Sequence, residues 1–387
     1  MKKQILIKVY RPTGEFITVW EKASFKSFEK EINGGLGECI IILGEKFDYT
    51  GQDLLLGNDI EILISDKDTI GDAGGYRIIY KGYISLIEPY IDGKSESIKI
   101  SVLGHYTKLD LDIWRDSATK TTTFDYGTDT DFGTMLRDLM DKYISETNNP
   151  KLSYTVGSIG LTGTVGQYMF EMITYKEAIN KIKDMSPIDW FWYVDEIGRV
   201  YFKKKADTPD HIFIFGKHFS KVTVSRSLEK IRNTMLFWNG ETGVDQIYKL
   251  YEDAASINQY GKRAMNYFDW NVGNELTADK IAEKFLANSS IPDIKVIVEI
   301  GDNNGDPING YDIENIQAGD TCAFRGFDDE IAELFRENML ITKVVYSLSK
   351  VQLIIEIQRA GMIAWQNETS KKIDEYFSDG SPAVYIT

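Results

Sequence analysis

Short apolar or alternating runs separated by turn residues dominate the first hundred positions of the chain. The segment 4–10 is followed by a Pro-Thr-Gly turn and by the segment 16–20, which is the pattern of a β-hairpin. Further runs with strand character follow at short intervals, at 39–43, 59–64, 76–80, 83–87 and 97–102. Many short strands with regular turn signals are typical of a barrel or a sandwich. We therefore predict a first β-domain over residues 1–105.

The middle of the chain changes to helical spacing. Apolar residues recur every three or four positions over about 132–145, which predicts an amphipathic helix. A second helix begins at Thr174–Glu177, a capping box in which each side chain satisfies a free backbone N–H of the first turn. The aromatic run 190–194 then leads into a hairpin turn at Gly198. A helix that feeds a hairpin predicts an α+β domain over residues 106–221.

Strand-like runs return in the third part of the chain. They flank a helix predicted from about Ala278 to Ala287, with Thr277 as its cap. The pattern predicts a second β-domain over residues 222–358 with this helix inserted in it.

The two β-domains contain similar stretches of sequence. In each, a glycine and a small polar residue open a strand, and two further strands joined by a polar turn end the unit; the stretches run over 57–103 and 319–357. Duplication of one β-domain explains the similarity, and coincidence among short strands is the alternative.

The last segment, 359–387, is predicted to contain a short helix with Ile373, Tyr376 and Phe377 near one face. It is too apolar for a free segment because it also carries Met362, Ile363 and Trp365. We expect Trp365, Ile373, Tyr376 and Phe377 to contact a neighbouring subunit or another protein. A helix packed on its own chain is the alternative.

Composition agrees with a strand-rich chain of several domains. Aromatic residues make up 12% of the 387 positions, and aromatic side chains fit the pleated surface of a sheet. A single core stops growing near about 250 to 300 residues. The fold class predicted is therefore α+β, mainly β, with two related β-barrel domains flanking the α+β domain. No stretch approaches the roughly 20 apolar residues of a membrane helix, so we expect a chain that does not span a membrane and that is made in the cytoplasm.

The charge balance excludes some classes of partner. With 44 Lys and Arg against 59 Asp and Glu, the net charge is −15, which argues against tight binding to duplex DNA or to an anionic membrane. The notable basic clusters are Lys2–Lys3, Lys203–Lys205 and Lys371–Lys372, which we interpret as solvated faces or protein contacts.

Residues able to carry catalysis or to hold a cofactor are sparse. The three histidines, His105, His211 and His218, stand at predicted strand ends and belong to no catalytic motif. The cysteines Cys39 and Cys322 are interpreted as buried, reduced thiols. We predict no enzyme activity, cofactor or metal.

Two segments have both a possible binding function and an ordinary structural interpretation. The loop at 302–306 resembles a calcium loop but has Pro307 where glycine is required and Ile313 where a glutamate belongs, so a solvated turn is favoured. The aromatic run 190–194 is an alternative platform for sugar stacking, but its lack of alternation favours a strand buried on both faces.

The order of these elements, with several local phrases, resembles the tail hub (baseplate hub) proteins of tailed bacteriophages. The phrases are GNDIEI at 57–62, YKGYI at 80–84, the helix and hairpin around Trp190 and Gly198, SINQYGKR at 256–263 and AGD at 318–320. The resemblance implies two related tube-type domains around α+β inserts, assembled as a homotrimer in the virion tail tip. It also implies contacts with a tail tube or distal tail protein, a tape measure protein and a tail fibre or spike.

A trimer of chains with two tube-like domains presents six similar modules, so such a hub would adapt a six-fold tube to a three-fold tip. A negative lumen would let phage DNA pass during genome ejection without specific binding. The alternative is a tail-associated cell-wall hydrolase or a carbohydrate-binding module that uses an unrecognised pair of acids.

Overall fold

The computed structural model describes residues 4–20, 23–44, 51, 53–65, 75–92, 95–114, 121–147, 150–240, 243, 246–301, 311–327 and 338–356. The tail residues Trp365, Ile373, Tyr376 and Phe377 lie outside this set, as do the calcium-like positions 302–306. Within the described ranges, no helix is both long and apolar enough to cross a membrane.

The first part of the chain forms one antiparallel sheet of seven strands. This part of the chain has eight strands, of which all but β4 belong to the sheet: β1 (Gln4–Tyr10), β2 (Phe16–Trp20), β3 (Ser24–Phe25), β4 (Phe28–Glu31), β5 (Cys39–Leu43), β6 (Asp59–Ser65), β7 (Arg77–Asp92) and β8 (Ser95–Gly104). Their order in the sheet is β2-β1-β6-β7-β8-β5-β3, and β4 is left out of it. The predicted hairpin at the start of the chain is confirmed by the pairing of β1 with β2.

The middle part combines two helices with two small two-stranded sheets. A 3₁₀ helix at His105–Asp110 leads to β9 (Thr123–Asp131), α1 (Phe132–Glu146), β10 (Val165–Glu171), α2 (Tyr175–Met185), β11 (Trp190–Val194) and β12 (Val200–Lys204). The strands β9 and β10 form one of these sheets, and the hairpin β11-β12 forms the other. Both predicted helices are confirmed, and the capping box at Thr174 and Glu177 is formed. Gly198 has a φ of 85° in the turn between β11 and β12, where a side chain would be strained.

The third part holds the remaining strands and two helices. They are β13 (His211–Ile214), β14 (Val222–Ser227), β15 (Thr234–Trp238), β16 (Tyr248–Glu252), α3 (Ala254–Tyr260), β17 (Ala264–Phe268), α4 (Glu275–Ser289), β18 (Asp293–Gly301), a 3₁₀ helix at Ile313–Asn315, β19 (Thr321–Arg325), β20 (Met339–Leu340), β21 (Lys343–Tyr346) and β22 (Lys350–Glu356). Their sheets have the orders β14-β18-β22-β21-β4, β13-β19-β20 and β16-β15-β17. The mainly β, α+β class predicted from the sequence is therefore confirmed.

The predicted cap of the inserted helix is wrong. The helix α4 starts at Glu275 with Asn274 as its cap, and the Asn274 side chain accepts a hydrogen bond from the Thr277 amide at 2.8 Å. Asparagine and threonine are both good caps. The helix starts at the earlier of the two, and Thr277 becomes a buried residue of its first turn.

The first and third parts have similar strand orders. The first sheet contains the order β1-β6-β7-β8-β5-β3, whereas the third part divides the corresponding strands between two sheets, β13-β19-β20 and β21-β22-β18-β14. Corresponding strands also follow in the same order along the chain. One pair differs, because β1 and β6 are antiparallel whereas β13 and β19 are parallel.

A local hydrogen-bond pattern is also repeated. Gly57 donates its amide to the Ile84 carbonyl at 2.8 Å, and Ile84 donates to the Asn58 carbonyl at 2.9 Å. Gly319 and Ile341 make the same two bonds at the same distances, with Asp320 in place of Asn58. Both glycines have positive φ, 87° and 95°. The two units therefore have similar strand orders and share this local hydrogen-bond pattern, but one strand pairing differs in direction. That they are related, closed, tube-type barrels stays a prediction.

The described side chains pack into two hydrophobic cores that do not follow the order of the chain. The first core joins the two related β-units, and β4 from the first unit pairs with β21 of the second. The second core joins the middle part to the segment from β15 to α4. The domain boundaries at 105, 221 and 358 stay a prediction.

The strand β11 separates the two cores. Phe191 belongs to the core of the β-units, whereas Trp192, on the opposite face of the strand, belongs to the core of the middle part. Both side chains are almost fully buried. The prediction that the aromatic run is a strand buried on both faces is confirmed at these positions, and a sugar cannot stack on either ring as packed.

Candidate functional site

The three histidines have different surroundings. His211 contacts the Tyr311 hydroxyl through Nδ1 at 2.6 Å and Asp320 through Nε2 at 3.0 Å. His218 accepts a hydrogen bond from the Ile214 amide at 3.2 Å. Both side chains therefore fix loops next to β13. His105 lies elsewhere, in a cleft between the first unit and the middle part.

The cleft around His105 has a volume of about 210 Å³. The side chains of Asp59 and His105 are both buried in it. Asp59 Oδ2 lies 2.8 Å from Lys151 Nζ, and Asp59 Oδ1 lies 3.7 Å from His105 Nε2. Lys81 and Glu61 form a second ion pair at 2.6 Å on the cleft wall. The sequence brings these residues together through β6, β7, the start of the 3₁₀ helix and the loop before Ser153.

Burial controls the charge states in this cleft. The pKa of His105 is lowered to about 3, first by burial and then by Lys108, Lys151 and Lys81, so the imidazole is neutral. Burial raises the pKa of Asp59 and outweighs the opposing effect of Lys151. A neutral imidazole beside a carboxylate resembles half of a catalytic triad.

The other half of a triad is missing from the lining of this cleft. Its described lining residues are Tyr10, Gly14, Asp59, Ile60, Glu61, Lys81, His105, Lys151 and Ile197, which include neither serine nor cysteine. Across the described ranges, no group of three or more His, Cys, Asp or Glu side chains is arranged to hold a metal ion. The geometry therefore fits a polar seam between two parts of the chain.

Both cysteines are buried and free, as predicted. Burial raises the pKa of each thiol, which keeps it protonated and unreactive.

A second polar centre joins the middle part to β17, and sequence reasoning missed it. The buried Asp269 accepts hydrogen bonds from the hydroxyls of Tyr168 and Tyr267, both at 3.2 Å to Oδ2, and pairs with Lys181 at 3.2 Å. The aspartate follows an aromatic strand and precedes Trp270, but no spacing in the sequence identifies its distant partners, Tyr168 of β10 and Lys181 of α2.

The two β-units are also joined by charge. Arg77 at the start of β7 pairs with Asp312 at 3.0 Å and with Glu314, and Glu314 accepts a hydrogen bond from Tyr346 at 3.0 Å. Lys30 of β4 donates to Gln317 at 2.9 Å although it is almost fully buried. Polar contacts of β4 and β7 with the segment 312–317 therefore join the two units in addition to their shared apolar core.

One sheet presents apolar side chains to solvent. The register of β16-β15-β17 places Tyr248, Trp238 and Phe268 in one row, and Leu250 and Leu236 in the next row of the same face. Tyr248 and Leu250 are 49% and 52% exposed, and the adjacent Trp270 is 56% exposed. The alternation in the sequence of β16 indicates a half-exposed strand, but which face is apolar depends on pairing that the sequence does not specify.

Solved structures of phage tail proteins share this fold. The 43 kDa tail protein of prophage MuSo2 from Shewanella oneidensis aligns with a TM-score of 0.62 at 15% identity, over 92% of this chain and 98% of that one. A tail protein from Neisseria meningitidis aligns with a TM-score of 0.59 at 10% identity, over 92% and 96%. The prophage tail protein gp18 from Listeria monocytogenes aligns with a TM-score of 0.54 at 12% identity, over 96% and 99%.

Sequence comparison alone finds no such relationship: no protein-family model and no curated protein sequence matches the chain. The resemblance to phage tail proteins inferred from the order of elements is thus confirmed at the level of the fold. The narrower assignment to hub proteins stays a prediction.

Proposed function

We propose that this chain is the structural tail hub of a bacteriophage virion, located at the tail tip. The observation that carries the proposal is the pair of similar units: two β-units with similar strand orders and the same glycine-anchored hydrogen-bond pattern lie in a single chain. The shared fold with prophage tail proteins supports the same class of function.

Assembly as a homotrimer would explain why one chain carries two similar β-units. Three chains with two related units each supply six similar modules, which match a six-fold tail tube on one side, while the trimer keeps three-fold symmetry for a fibre or spike on the other. The two units share one core, and β4 of the first unit pairs with β21 of the second, so each chain holds its pair of modules at a fixed relative position.

The partners in this proposal are the tail tube or a distal tail protein, the tape measure protein and a tail fibre or spike. The ring also forms a conduit for genome ejection. A net charge of −15 on each chain supports a passive conduit, because DNA phosphates are repelled rather than held. No enzyme activity is part of the proposal.

A sizing run combined with a cell-wall zymogram tests the proposal against the hydrolase alternative. The hub account expects a ring-forming trimer that leaves bacterial cell wall intact. A monomer that clears the cell wall would overturn it. The variant His105→Gln provides the control for any clearing, because it removes the imidazole of the Asp59 cleft and keeps a polar side chain.

A further inference from the structure

The exposed apolar face of the β16-β15-β17 sheet is formed by residues that the strand register places side by side. Tyr248, Trp238 and Phe268 form one apolar row across three strands, and Leu250 and Leu236 form the next row with the polar Asn266 at its end. The rings of Trp238 and Phe268 lie 5.0 Å apart, and the Trp270 ring lies 5.8 Å from that of Phe268. The opposite face of the same sheet packs into the second core through Met235, Phe237 and Tyr267. A contiguous exposed apolar patch on a folded chain marks an interaction surface.

The chemistry of the face selects an apolar occupant. The central positions carry no charge, and the charged Glu252 at the margin is paired with Lys262 at 2.6 Å. An anionic or cationic ligand would therefore find no complement in the middle of the face. A segment with a row of apolar side chains fits it.

The C-terminal tail provides such a segment. Ile373, Tyr376 and Phe377 are spaced i, i+3 and i+4, so a helix would present them as one stripe. The acidic and basic residues between and around them, Lys371, Lys372, Asp374 and Glu375, would then point to solvent or to the margins of the contact.

The tail also starts close enough to reach the face. Glu356 is paired with Lys295, and Lys295 with Ser225, so Glu356 lies two strand spacings, about 10 Å, from Ser225. From Ser225 the chain reaches Thr234, the first residue of β15, within nine residues, at most about 30 Å. Ile373 follows Glu356 by 17 residues, which span up to about 55 Å when extended.

We propose that residues 362–377 dock on the outer face of the β16-β15-β17 sheet of the same chain, with Ile373, Tyr376 and Phe377 against Tyr248, Leu250 and Trp270. Attachment to the same chain favours this occupant over a second copy, because a tethered segment has an effective concentration in the millimolar range. The inference does not depend on the hub function. It selects the chain's own surface over a neighbouring subunit as the dock of the tail.

Disulfide trapping in the full-length chain tests the contact. Leu250→Cys combined with Ile373→Cys is expected to form an intramolecular crosslink, seen as a faster-migrating monomer on a non-reducing gel. The matched control combines Ile373→Cys with Leu56→Cys, since Leu56 is 65% exposed but lies in the first unit. A crosslink no more efficient than in this control, or one found only between two chains, would overturn the proposal.

Hydrogen exchange provides a second, independent test. In the wild-type chain the amides of 362–377 are expected to exchange slowly, and Leu250→Asp should accelerate their exchange at least about tenfold by placing a charge in the apolar contact. Val156→Asp is the matched control, because Val156 is 71% exposed on a loop of the middle part. Equal exchange of the tail in all three proteins would contradict docking on this face.

Discussion

Replacing Phe28 by alanine tests whether the two β-units form one cooperative core. Phe28 lies in β4, the strand that leaves the first unit to pair with β21 of the second, and it is 1% exposed. Its ring lies 5.1 Å from that of Tyr80 in the first unit and 5.0 Å from that of Tyr346 in the second. The side chain therefore connects both units.

The expected loss of stability follows from this packing. Truncating a buried phenylalanine to alanine costs about 3–5 kcal/mol, and the aromatic pairs with Tyr80 and Tyr346 place Phe28→Ala in the upper half of that range. Phe16→Ala is the control: Phe16 is 53% exposed in β2 of the first sheet and should cost less than about 1 kcal/mol.

Native-state hydrogen exchange measures the effect separately in each unit. Peptides that cover β8 report on the first unit, and peptides that cover β22 report on the second. We expect Phe28→Ala to lower the opening free energy of both by a similar amount, because one core supports both sheets. A large loss in one unit with the other unchanged would refute the shared core and weaken the argument for modules delivered as a rigid pair.

Three further predictions concern single positions and the surface charge. Gly104→Ala should destabilise the chain by about 3 kcal/mol or more in urea unfolding, because its new Cβ would lie 1.9 Å from the Leu36 carbonyl oxygen. Gly44→Ala is the control and should be nearly neutral, since its new Cβ would have nothing within 4 Å. Equal urea midpoints for the two variants would contradict the prediction. Burial lowers the pKa of Lys284 from 10.5 to about 7, so between these pH values the unfolded chain binds more protons than the folded chain. This residue therefore makes the free energy of unfolding rise with pH from 7 to 9. Lys284→Met should flatten that rise, and an unchanged slope would exclude the effect. Fluorescence anisotropy should detect no binding of duplex DNA at low salt, and salt-sensitive binding that is lost on neutralising Lys203–Lys205 would contradict a passive conduit.

Elements set by local sequence were predicted well. The helices α1 and α2 follow from apolar spacing and a capping box, and the first hairpin follows from its turn. The cap of α4 was wrong by three residues because two good capping residues, Asn274 and Thr277, stand close together. Local signals of equal strength do not decide which of them the folded chain uses.

Features that depend on pairing between distant segments could not be predicted from the sequence. The pairing of β4 with β21 joins Phe28 to Tyr346, more than three hundred positions apart, and nothing in either local sequence specifies the partner. The same holds for Asp269 with Tyr168 and for Asp59 with Lys151. The similarity of the stretches at 57–103 and 319–357 was visible in the sequence because Gly57 and Gly319 both occupy positions with positive φ, which favour glycine.

Electron cryo-microscopy of the purified full-length protein tests the hub assignment most directly. We predict a three-fold ring of about 132 kDa, three times the 44.1 kDa chain, in which the two β-units of each chain alternate around the axis as six similar modules. A monomer, or a ring in which only one of the two units lines the central channel, would contradict it.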